Sequence, residues 1–293
     1  MSGEPGRYCL QNGQIVPFGE ARISPLDRGF LFGDAVYEAI KVLGGRLLFL
    51  DRHLDRLAAS LAALRIASPG ELAPELAALV AANNLGDGVV YLQVTRGVAP
   101  RRSHLPPAGL EPTVIAMTSE VAYAERPENE PGLVAISRAD DRWRHADVKT
   151  TALAANVLGK LAAADSGAVE VVYVDVDGAL REGGNTNLFV RDGAGWHTHP
   201  LGPEILAGVT RAVLLAEAAR FGIAVAERTP RLAGRAGWHE AFLCGTTTGV
   251  RGLVALDGEP LGDGAVGAET RRFARLLAAA ESAEARGAED VPA

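Results

Sequence analysis

One lysine near the middle of the chain stands out by its surroundings. In the stretch HADVKTTALAANVLGK, Lys149 lies among uncharged residues with only Asp147 as a charged neighbour. One interpretation is a solvated side chain beside Asp147, because a lysine costs free energy to bury. The other is a desolvated amine, because burial lowers a lysine pKa and supplies the neutral amine that Schiff-base chemistry requires. The local sequence leaves both interpretations open.

Three segments further along contain residue types that suit ligand binding. In ALREGGNTNLFV, Glu182 precedes a Gly-Gly turn, although solvent exposure is the default for a loop carboxylate. In EILAGVTRAVLL, Gly208, Val209 and Thr210 open a helix whose free N–H groups suit a phosphate. In LCGTTTGV, Gly245 precedes three threonines, which indicates either a Thr-rich turn or a second phosphate-binding loop. Each segment alone is also compatible with ordinary structure.

A loop in the first half carries two adjacent arginines. The stretch VTRGVAPRRSHLPP places Arg101, Arg102 and His104 among prolines. Such a loop is compatible with solvated side chains. A pair of guanidiniums also suits a carboxylate, which an arginine binds through a forked pair of hydrogen bonds.

The elements that must position these residues follow an α+β pattern in the first part of the chain. The runs GRLLFL, GVVYLQVTRG and PTVIAMTSEV are apolar and predict strands. The stretch DRHLDRLAASLAALRI repeats leucine at helical spacing, with Asp51 as the expected N-cap. A second helix is predicted over PGELAPELAALVAANNL and ends near Gly86.

A change of composition around AYAERPENEPG indicates a solvated connection. We therefore expect a small N-terminal domain of residues 1–121, a linker of residues 122–132 and a larger C-terminal domain of residues 133–293. The tail AAAESAEARGAEDVPA is rich in alanine and acidic residues, and we expect it to fray.

Beyond the linker, strands and helices again alternate. The predicted strands are GLVAISRA, AVEVVYVDVDG, TNLFVRDG and AFLCG, and the predicted helices are TTALAANVLGKLAAADSG and LAGVTRAVLLAEAARFGI. The DVDG turn suits a hairpin, with Gly178 free to take a positive φ.

Composition narrows the class of partner. The 293 residues are 48% hydrophobic and carry a formal net charge of −7 with dispersed arginines, which argues against a nucleic-acid partner. Cys9 and Cys244 lack the spacing of a disulfide framework or a zinc site, so we expect no metal and a reducing compartment. No secretory signal or apolar run of about 20 residues is visible. We expect a soluble cytoplasmic protein that binds a small molecule and has no membrane partner.

Seven motifs in register resemble one known family. DRGFLFGDAVYE, RHLDRL, VTRG, DVK, EGGNTNLF, LAGVTR and GTT follow one another over nearly the whole chain. Together they resemble the fold-type IV pyridoxal-phosphate enzymes, the family of D-amino-acid and branched-chain aminotransferases. The resemblance implies a small N-terminal α/β domain and a larger C-terminal domain, with pyridoxal 5′-phosphate between them, usually in a homodimer.

The resemblance assigns the cofactor site. Lys149 is similar to the Schiff-base lysine, which moves a proton between the substrate Cα and the cofactor C4′. Glu182 is similar to the carboxylate that keeps the pyridine nitrogen protonated, and Arg181 beside it is expected to favour the ionised form. Gly245 has no side chain, so it can contribute only its backbone N–H to the phosphate site. The other cofactor-binding residues that the resemblance implies are Arg56, Asn187, Leu206, Val209, Thr210 and Thr246.

The resemblance also favours D-amino acids as substrates. The substrate-binding residues that it implies are Tyr37, Arg101, Arg102, His104 and Thr247, with Lys41 also similar to the D-amino-acid enzymes. Branched-chain enzymes usually carry EGIR where this chain has EAIK. The PRRSH loop is one residue longer than the PRAH-like form, so either arginine can hold the carboxylate. Arg251 could reach the active site or face solvent.

The expected activity is transamination. The amino group of a D-amino acid of the D-alanine or D-glutamate type passes to a 2-oxo acid such as 2-oxoglutarate by a ping-pong mechanism. Alternatives within the fold are an L-branched-chain aminotransferase, an (R)-amine transaminase and aminodeoxychorismate lyase. A degenerate protein that only binds pyridoxal phosphate is the alternative outside enzymes, and intact Lys149 and Glu182 count against it.

Overall fold

The computed structural model describes residues 4–287, which divide into two compact units. Within that part of the chain, the first unit comprises residues 4–123, 148–152 and 281–287, and the second comprises residues 124–147 and 153–280. The division predicted from the sequence instead places residues 133–293 together. The segment around Lys149 thus belongs to the first unit.

The first unit is built on an antiparallel sheet. Its strands are β1 Pro5–Gln11, β2 Gln14–Pro17, β3 Ala35–Leu43, β4 Arg46–Leu47, β5 Gly88–Thr95 and β6 Thr113–Glu120, in the order β2-β1-β6-β5-β3-β4. Its helices are α1 Arg28–Phe32, α2 Leu50–Leu64 and α3 Ala73–Ala82, with a short 3-10 turn at Phe18–Glu20. Alternation along β3 puts Val36 and Ile40 into a core shared with Leu57 and Leu61 of α2. Tyr37 therefore faces the opposite side of the sheet.

Two sequence-based expectations at the start of α2 were wrong. The run GRLLFL forms only the two-residue strand β4 before α2 begins at Leu50. The N-cap is Phe49, which has a left-handed φ of 51° and makes no side-chain cap, whereas Asp51 lies inside the first turn. A carboxylate there still interacts favourably with the positive end of the helix dipole.

The second unit contains the remaining strands. They are β7 Leu133–Ala139, β8 Glu170–Val174, β9 Leu180–Gly183, β10 Asn187–Asp192, β11 Gly195–Thr198, β12 Val225–Glu227, β13 Glu240–Gly245, β14 Gly249–Leu256 and β15 Glu259–Pro260. Its helices are α4 Ala154–Asp165 and α5 Val209–Arg220, with 3-10 turns at Pro127–Asn129 and Leu232–Gly237. The last helix, α6 Ala268–Arg286, begins in this unit.

Six of these strands close into a ring. Strand β9 pairs with β8 on one side and with β10 on the other, which completes the order β10-β13-β14-β7-β8-β9. The closing pair is Glu182 opposite Asn187. Gly178 in the turn between β8 and β9 has a φ of 81°, which confirms the positive φ predicted for the DVDG turn.

The helices after Lys149 and at the C-terminal end also differ from expectation. The helix predicted over residues 150–167 begins only at Ala154, so Lys149 lies in an extended segment before it. The tail that was expected to fray is helical to Arg286. Within it, Glu281 accepts from Lys41 Nζ at 2.7 Å and Glu284 accepts from the Phe49 N–H at 3.2 Å, and these contacts favour the ordered helix. Residues 288–293 of that tail lie outside the described residues. Over residues 4–287, no helix combines the length and apolarity needed to cross a bilayer.

Candidate active-site residues

The main chain around Lys149 is fixed by hydrogen bonds on both sides. The N–H of Lys149 donates to Ser60 Oγ at 3.2 Å, and the N–H of Tyr37 donates to the Lys149 carbonyl at 3.0 Å. The N–H of Thr151 donates to the Ala35 carbonyl at 3.1 Å. Residues 148–152 thus lie along the end of β3 as an extended segment.

The amine of Lys149 lies over an aromatic face. Its Nζ is 4.2 Å from the centre of the Tyr37 ring, and Tyr37 stacks on Tyr91 with ring centres 5.5 Å apart. Burial, with a smaller contribution from Tyr37, raises the pKa of Tyr91 to about 12. The Lys149 side chain itself is half-buried, so it is neither fully solvated nor fully desolvated.

Arg56 is bound by a buried carboxylate. Its Nε and Nη2 donate to the two carboxylate oxygens of Glu38 at 2.8 and 2.7 Å, and His53 Nδ1 donates to the same carboxylate at 2.7 Å. Burial alone would raise the pKa of Glu38, but the hydrogen bonds from Arg56 and His53 lower it to about 2. Glu38 thus fixes the guanidinium that the resemblance assigns to a phosphate.

Glu38 is a functional candidate that the sequence analysis missed. Its side chain lies on the core side of β3, the same side as Val36 and Ile40, where an unpaired charge would be costly. A charged residue at a core position of an apolar strand is the sequence signal that could have identified Glu38. Its partners lie on α2, and only the packing of α2 on β3 brings them together.

We predict that Glu38 stabilises the fold at neutral pH. Its folded pKa of about 2 lies below the ordinary value of 4.5, so its contribution is present above pH 4.5 and is lost as pH falls through about 2. Glu38→Gln should lower the free energy of unfolding by about 3 kcal/mol at pH 7. Urea unfolding between pH 7 and pH 3 should show the gap to the unchanged protein narrowing below pH 4.5.

Glu71→Gln supplies the control, because Glu71 is an exposed carboxylate of the same unit. We expect its unfolding curves to follow those of the unchanged protein at every pH. A Glu38→Gln gap that stays constant down to pH 3 would show that the carboxylate charge is not what stabilises the fold.

The predicted substrate loop joins β5 to β6. Arg101, Arg102 and His104 are exposed there. The Arg102 guanidinium lies 4.9 Å from the centre of the Phe32 ring, and the His104 ring lies 5.4 Å from it. Arg101 makes no hydrogen bond or ion pair with any residue between positions 4 and 287.

Glu182 in the second unit is a buried carboxylate surrounded by donors. It is 5% exposed, and its Oε1 accepts from Arg142 Nη1 at 2.6 Å. Its Oε2 accepts from Asn187 Nδ2 at 3.1 Å and from the Leu206 N–H at 3.0 Å. Burial raises the pKa of Glu182 to about 7 although Arg142 lowers it. A cationic group beside this carboxylate would favour its ionised form.

The guanidinium on Glu182 is not the one expected from the sequence. Arg181 binds Asp175 at 2.6 Å and Asp140 at 3.3 Å. Arg142 binds Glu182 instead, and its Nε and Nη2 donate to Asp140, both at 2.9 Å. No sequence pattern distinguishes Arg142, because it lies in a run of charged residues that is typical of a solvated loop.

The start of α5 adjoins Asn187. Asn187 Nδ2 also donates to the Leu206 carbonyl at 3.0 Å, and a Cβ on Gly208 would lie 1.9 Å from Asn187 Oδ1. Gly208 is the N-cap of α5 and makes no side-chain cap hydrogen bond. Val209 and Thr210 are buried in the first turn. A larger residue at position 208 would have to displace the Asn187 side chain.

The threonine turn lies at the same end of the ring. Asn187 pairs with Cys244, so Gly245 at the end of β13 and the turn of Thr246 and Thr247 after it are adjacent to the start of β10. Arg251 points elsewhere: its Nη2 donates to the Pro131 carbonyl at 2.8 Å.

Apart from Arg101, Arg102 and His104 of the exposed loop, the predicted site residues lie in two sets. Lys149, Tyr37 and Arg56 lie around β3 in the first unit. The second set, at one end of the ring, consists of Glu182, Asn187, Leu206, Val209, Thr210, Gly245, Thr246 and Thr247. Over residues 4–287, no group of three or more His, Cys, Asp or Glu side chains could hold a metal ion.

Comparisons with known proteins identify the family. The model of the family described as Amino-transferase class IV matches residues 35–256. The chain is 37% identical over 271 residues to a D-alanine aminotransferase of Bacillus licheniformis, covering 92% of this chain and 95% of that one. It is 35% identical over 269 residues to a D-alanine aminotransferase of Listeria monocytogenes serotype 1/2a, covering 90% and 92%.

A solved structure shows the same fold. The branched-chain aminotransferase of Thermoproteus uzoniensis with norvaline has a TM-score of 0.83 at 22% identity, covering 93% of this chain and 94% of that one. The family match and the full-length relatives agree with this two-domain fold. The chain therefore belongs to the class IV aminotransferases and is a pyridoxal-phosphate-dependent aminotransferase.

Proposed function

We propose that the protein transfers the amino group of a D-amino acid, such as D-alanine or D-glutamate, to a 2-oxo acid such as 2-oxoglutarate. The observation that carries the chemistry is the buried Glu182 carboxylate, whose three donors hold it at the end of the ring beside the start of α5. The relatives named D-alanine aminotransferase support the D-amino acid. The Thermoproteus uzoniensis likeness, at 22% identity, supports only the fold.

The residues of the second unit fit pyridoxal phosphate. The first turn of α5 has no side-chain cap, so its N–H groups suit a phosphate. A Cβ on Gly245 would approach the Asn185 carbonyl to 3.2 Å, so this position favours glycine and leaves its backbone N–H as the donor. The buried Glu182 carboxylate, with a pKa of about 7, suits a protonated ring nitrogen.

We infer the following roles. Val209, Thr210, Thr246 and Arg56 bind the phosphate, and Leu206 packs on the ring. Pyridoxal phosphate supplies a carbonyl for the substrate amine and an electron-withdrawing ring that makes the substrate Cα–H acidic.

Lys149 and Glu182 carry the proton chemistry in this proposal. Lys149 Nζ would take the proton from the substrate Cα and return it at C4′ of the cofactor. Glu182 holds the proton at the ring nitrogen, because a buried carboxylate with fixed donors cannot move away from that positive charge. Tyr37, Arg101, Arg102, His104 and Thr247 are proposed to contact the substrate.

A half-reaction panel tests the proposal. Mixing the protein with D- and L-alanine, D- and L-glutamate, L-leucine and an (R)-amine, and following the cofactor absorbance, measures each rate. D-alanine or D-glutamate should convert the cofactor faster than its L-enantiomer. L-leucine reacting faster than every D-amino acid would favour the branched-chain alternative, and no reaction at all would favour a protein that only binds the cofactor.

We predict that one arginine of the loop holds the substrate carboxylate. Arg101→Ala and Arg102→Ala, made separately, should show a loss of about 1.5–3 kcal/mol for the arginine that does so. This corresponds to a half-saturation for D-alanine that is raised roughly ten- to hundredfold. Stopped-flow half-reactions at varied D-alanine measure it. If neither substitution changes the half-saturation, the loop does not bind the carboxylate.

We also infer from the family resemblance that the protein is a cytoplasmic homodimer without a nucleic-acid or membrane partner. The net charge of −7 supports the absence of a nucleic-acid partner. Size-exclusion chromatography with light scattering tests the dimer, and fractionation of cells tests the location.

A further inference from the structure

We propose that Phe32 and Arg28 form a platform that positions Arg102, and not Arg101, to receive the substrate carboxylate. This inference rests on the proposed function, and it assigns the carboxylate site to one of the two adjacent arginines. It also adds two positioning residues on α1.

The first observation is the cluster of three side chains around the Phe32 ring. The Arg28 guanidinium lies 4.8 Å from the centre of the Phe32 ring, the Arg102 guanidinium lies 4.9 Å from it, and the His104 ring lies 5.4 Å from it. Each of the two guanidiniums is within the distance at which an aromatic ring attracts a cation. A guanidinium that stacks on a ring keeps its N–H edge available for a carboxylate.

The second observation is that Arg28 holds the loop main chain. Arg28 is 4% exposed, and its Nη1 and Nη2 donate to the carbonyls of Ser103 and His104 at 2.6 and 3.0 Å. Its Nε donates to Asp34 at 2.8 Å, and Asp34 also binds Arg96. Burial opposes the charge of Asp34, but the two guanidiniums lower its pKa, so the carboxylate stays ionised.

The third observation concerns the base of the loop. Asp27 is fully buried, and its Oδ2 accepts from the hydroxyls of Thr95 and Thr113 at 3.0 and 2.7 Å. These threonines end β5 and begin β6, so Asp27 joins the two ends of the loop. Asp27 and Arg28 therefore fix the base and the middle of the same loop.

These contacts distinguish the two arginines. Arg102 packs against the Phe32 ring at 4.9 Å, so we expect it to lose less side-chain entropy when it binds a carboxylate. Arg101 has no such partner between positions 4 and 287 and loses more. The preorganised guanidinium is the better carboxylate site.

The test compares D-alanine with D-alaninamide, which has the same amine and side chain but no carboxylate. The second-order rate constant of the half-reaction is measured for each compound with the holoenzyme. Phe32→Leu should lower the constant for D-alanine about three- to thirtyfold and leave that for D-alaninamide unchanged. Phe32→Trp keeps a ring face and should restore the ratio of the two constants.

Two further variants complete the test. Arg28→Lys keeps a positive charge for Asp34 but loses the forked contact to the loop carbonyls, and it should lower the same ratio. Phe221→Leu is the matched control, because Arg220 lies 5.5 Å from the centre of the exposed Phe221 ring in the other unit. It should leave the ratio unchanged.

The outcomes separate this inference from the proposed function. The inference is overturned if Phe32→Leu leaves the ratio unchanged, or if Arg101→Ala lowers it while Arg102→Ala does not. The proposed function fails in a different way, if the unchanged protein reacts no faster with D-alanine than with L-alanine.

Discussion

Lys149→Ala is expected to abolish transamination while leaving the fold intact. The substitution removes the amine that serves as nucleophile and proton carrier, so the half-reaction with D-alanine should slow by at least about a thousandfold. The main-chain hydrogen bonds to Ser60 and Tyr37 do not involve the side chain, so alanine should keep the local structure. The measurement is the change of cofactor absorbance in a single turnover.

Lys160→Ala is the control for this experiment. Lys160 lies on α4, where its Nζ is 3.1 Å from Glu170, and its removal should leave the rate unchanged. Borohydride should fix the cofactor covalently to the unchanged protein and to Lys160→Ala but not to Lys149→Ala. Peptide mapping that places the cofactor on Lys160 would refute the assignment of Lys149.

Glu182→Gln should retain the cofactor but slow the half-reaction about a hundred- to thousandfold, the usual cost of losing one fixed electrostatic contact. A glutamine oxygen can still accept from Asn187 and the Leu206 N–H, so these contacts survive. Its amide cannot hold a proton at the ring nitrogen as a carboxylate does. Single-turnover rates and the dissociation constant of the cofactor separate the two effects.

Glu170→Gln is the matched control, since Glu170 is a second buried carboxylate of the same unit. Its Oε1 accepts from the N–H of Val171 at 2.9 Å and from Lys160 at 3.1 Å. We expect an unchanged half-reaction rate. If Glu182→Gln also reacts at the rate of the unchanged protein, Glu182 has no electronic role.

Local patterns predicted the long apolar elements well and the short strands poorly. Strands β5 and β6 follow their predicted runs within two residues at each end, because each is a long apolar segment that the sheet buries. Strand β9 has four residues, including Arg181 and Glu182, and no apolar pattern to distinguish it from a loop. Its pairing with β8 and β10 depends on residues distant in sequence, which periodicity cannot detect.

The same limit explains the errors in the charged contacts. Neighbours along a strand face opposite sides, so Arg181 and Glu182 point in different directions although they are adjacent in sequence. Arg142 lies 40 residues before Glu182 and reaches it only through the fold. Lys149 stood out because its local sequence is unusual, whereas Glu38 needed the packing of α2 on β3 to show its partners.

The ring of strands closes where Glu182 pairs with Asn187, and those two side chains also hydrogen-bond to each other. Until β9 has paired with β10, the Glu182 carboxylate lacks Asn187, one of its three hydrogen-bond donors. Closing the ring therefore also completes the set of hydrogen bonds that hold the carboxylate. A change that weakens the pairing of β9 with β10 is therefore expected to loosen the Glu182 carboxylate as well as the sheet.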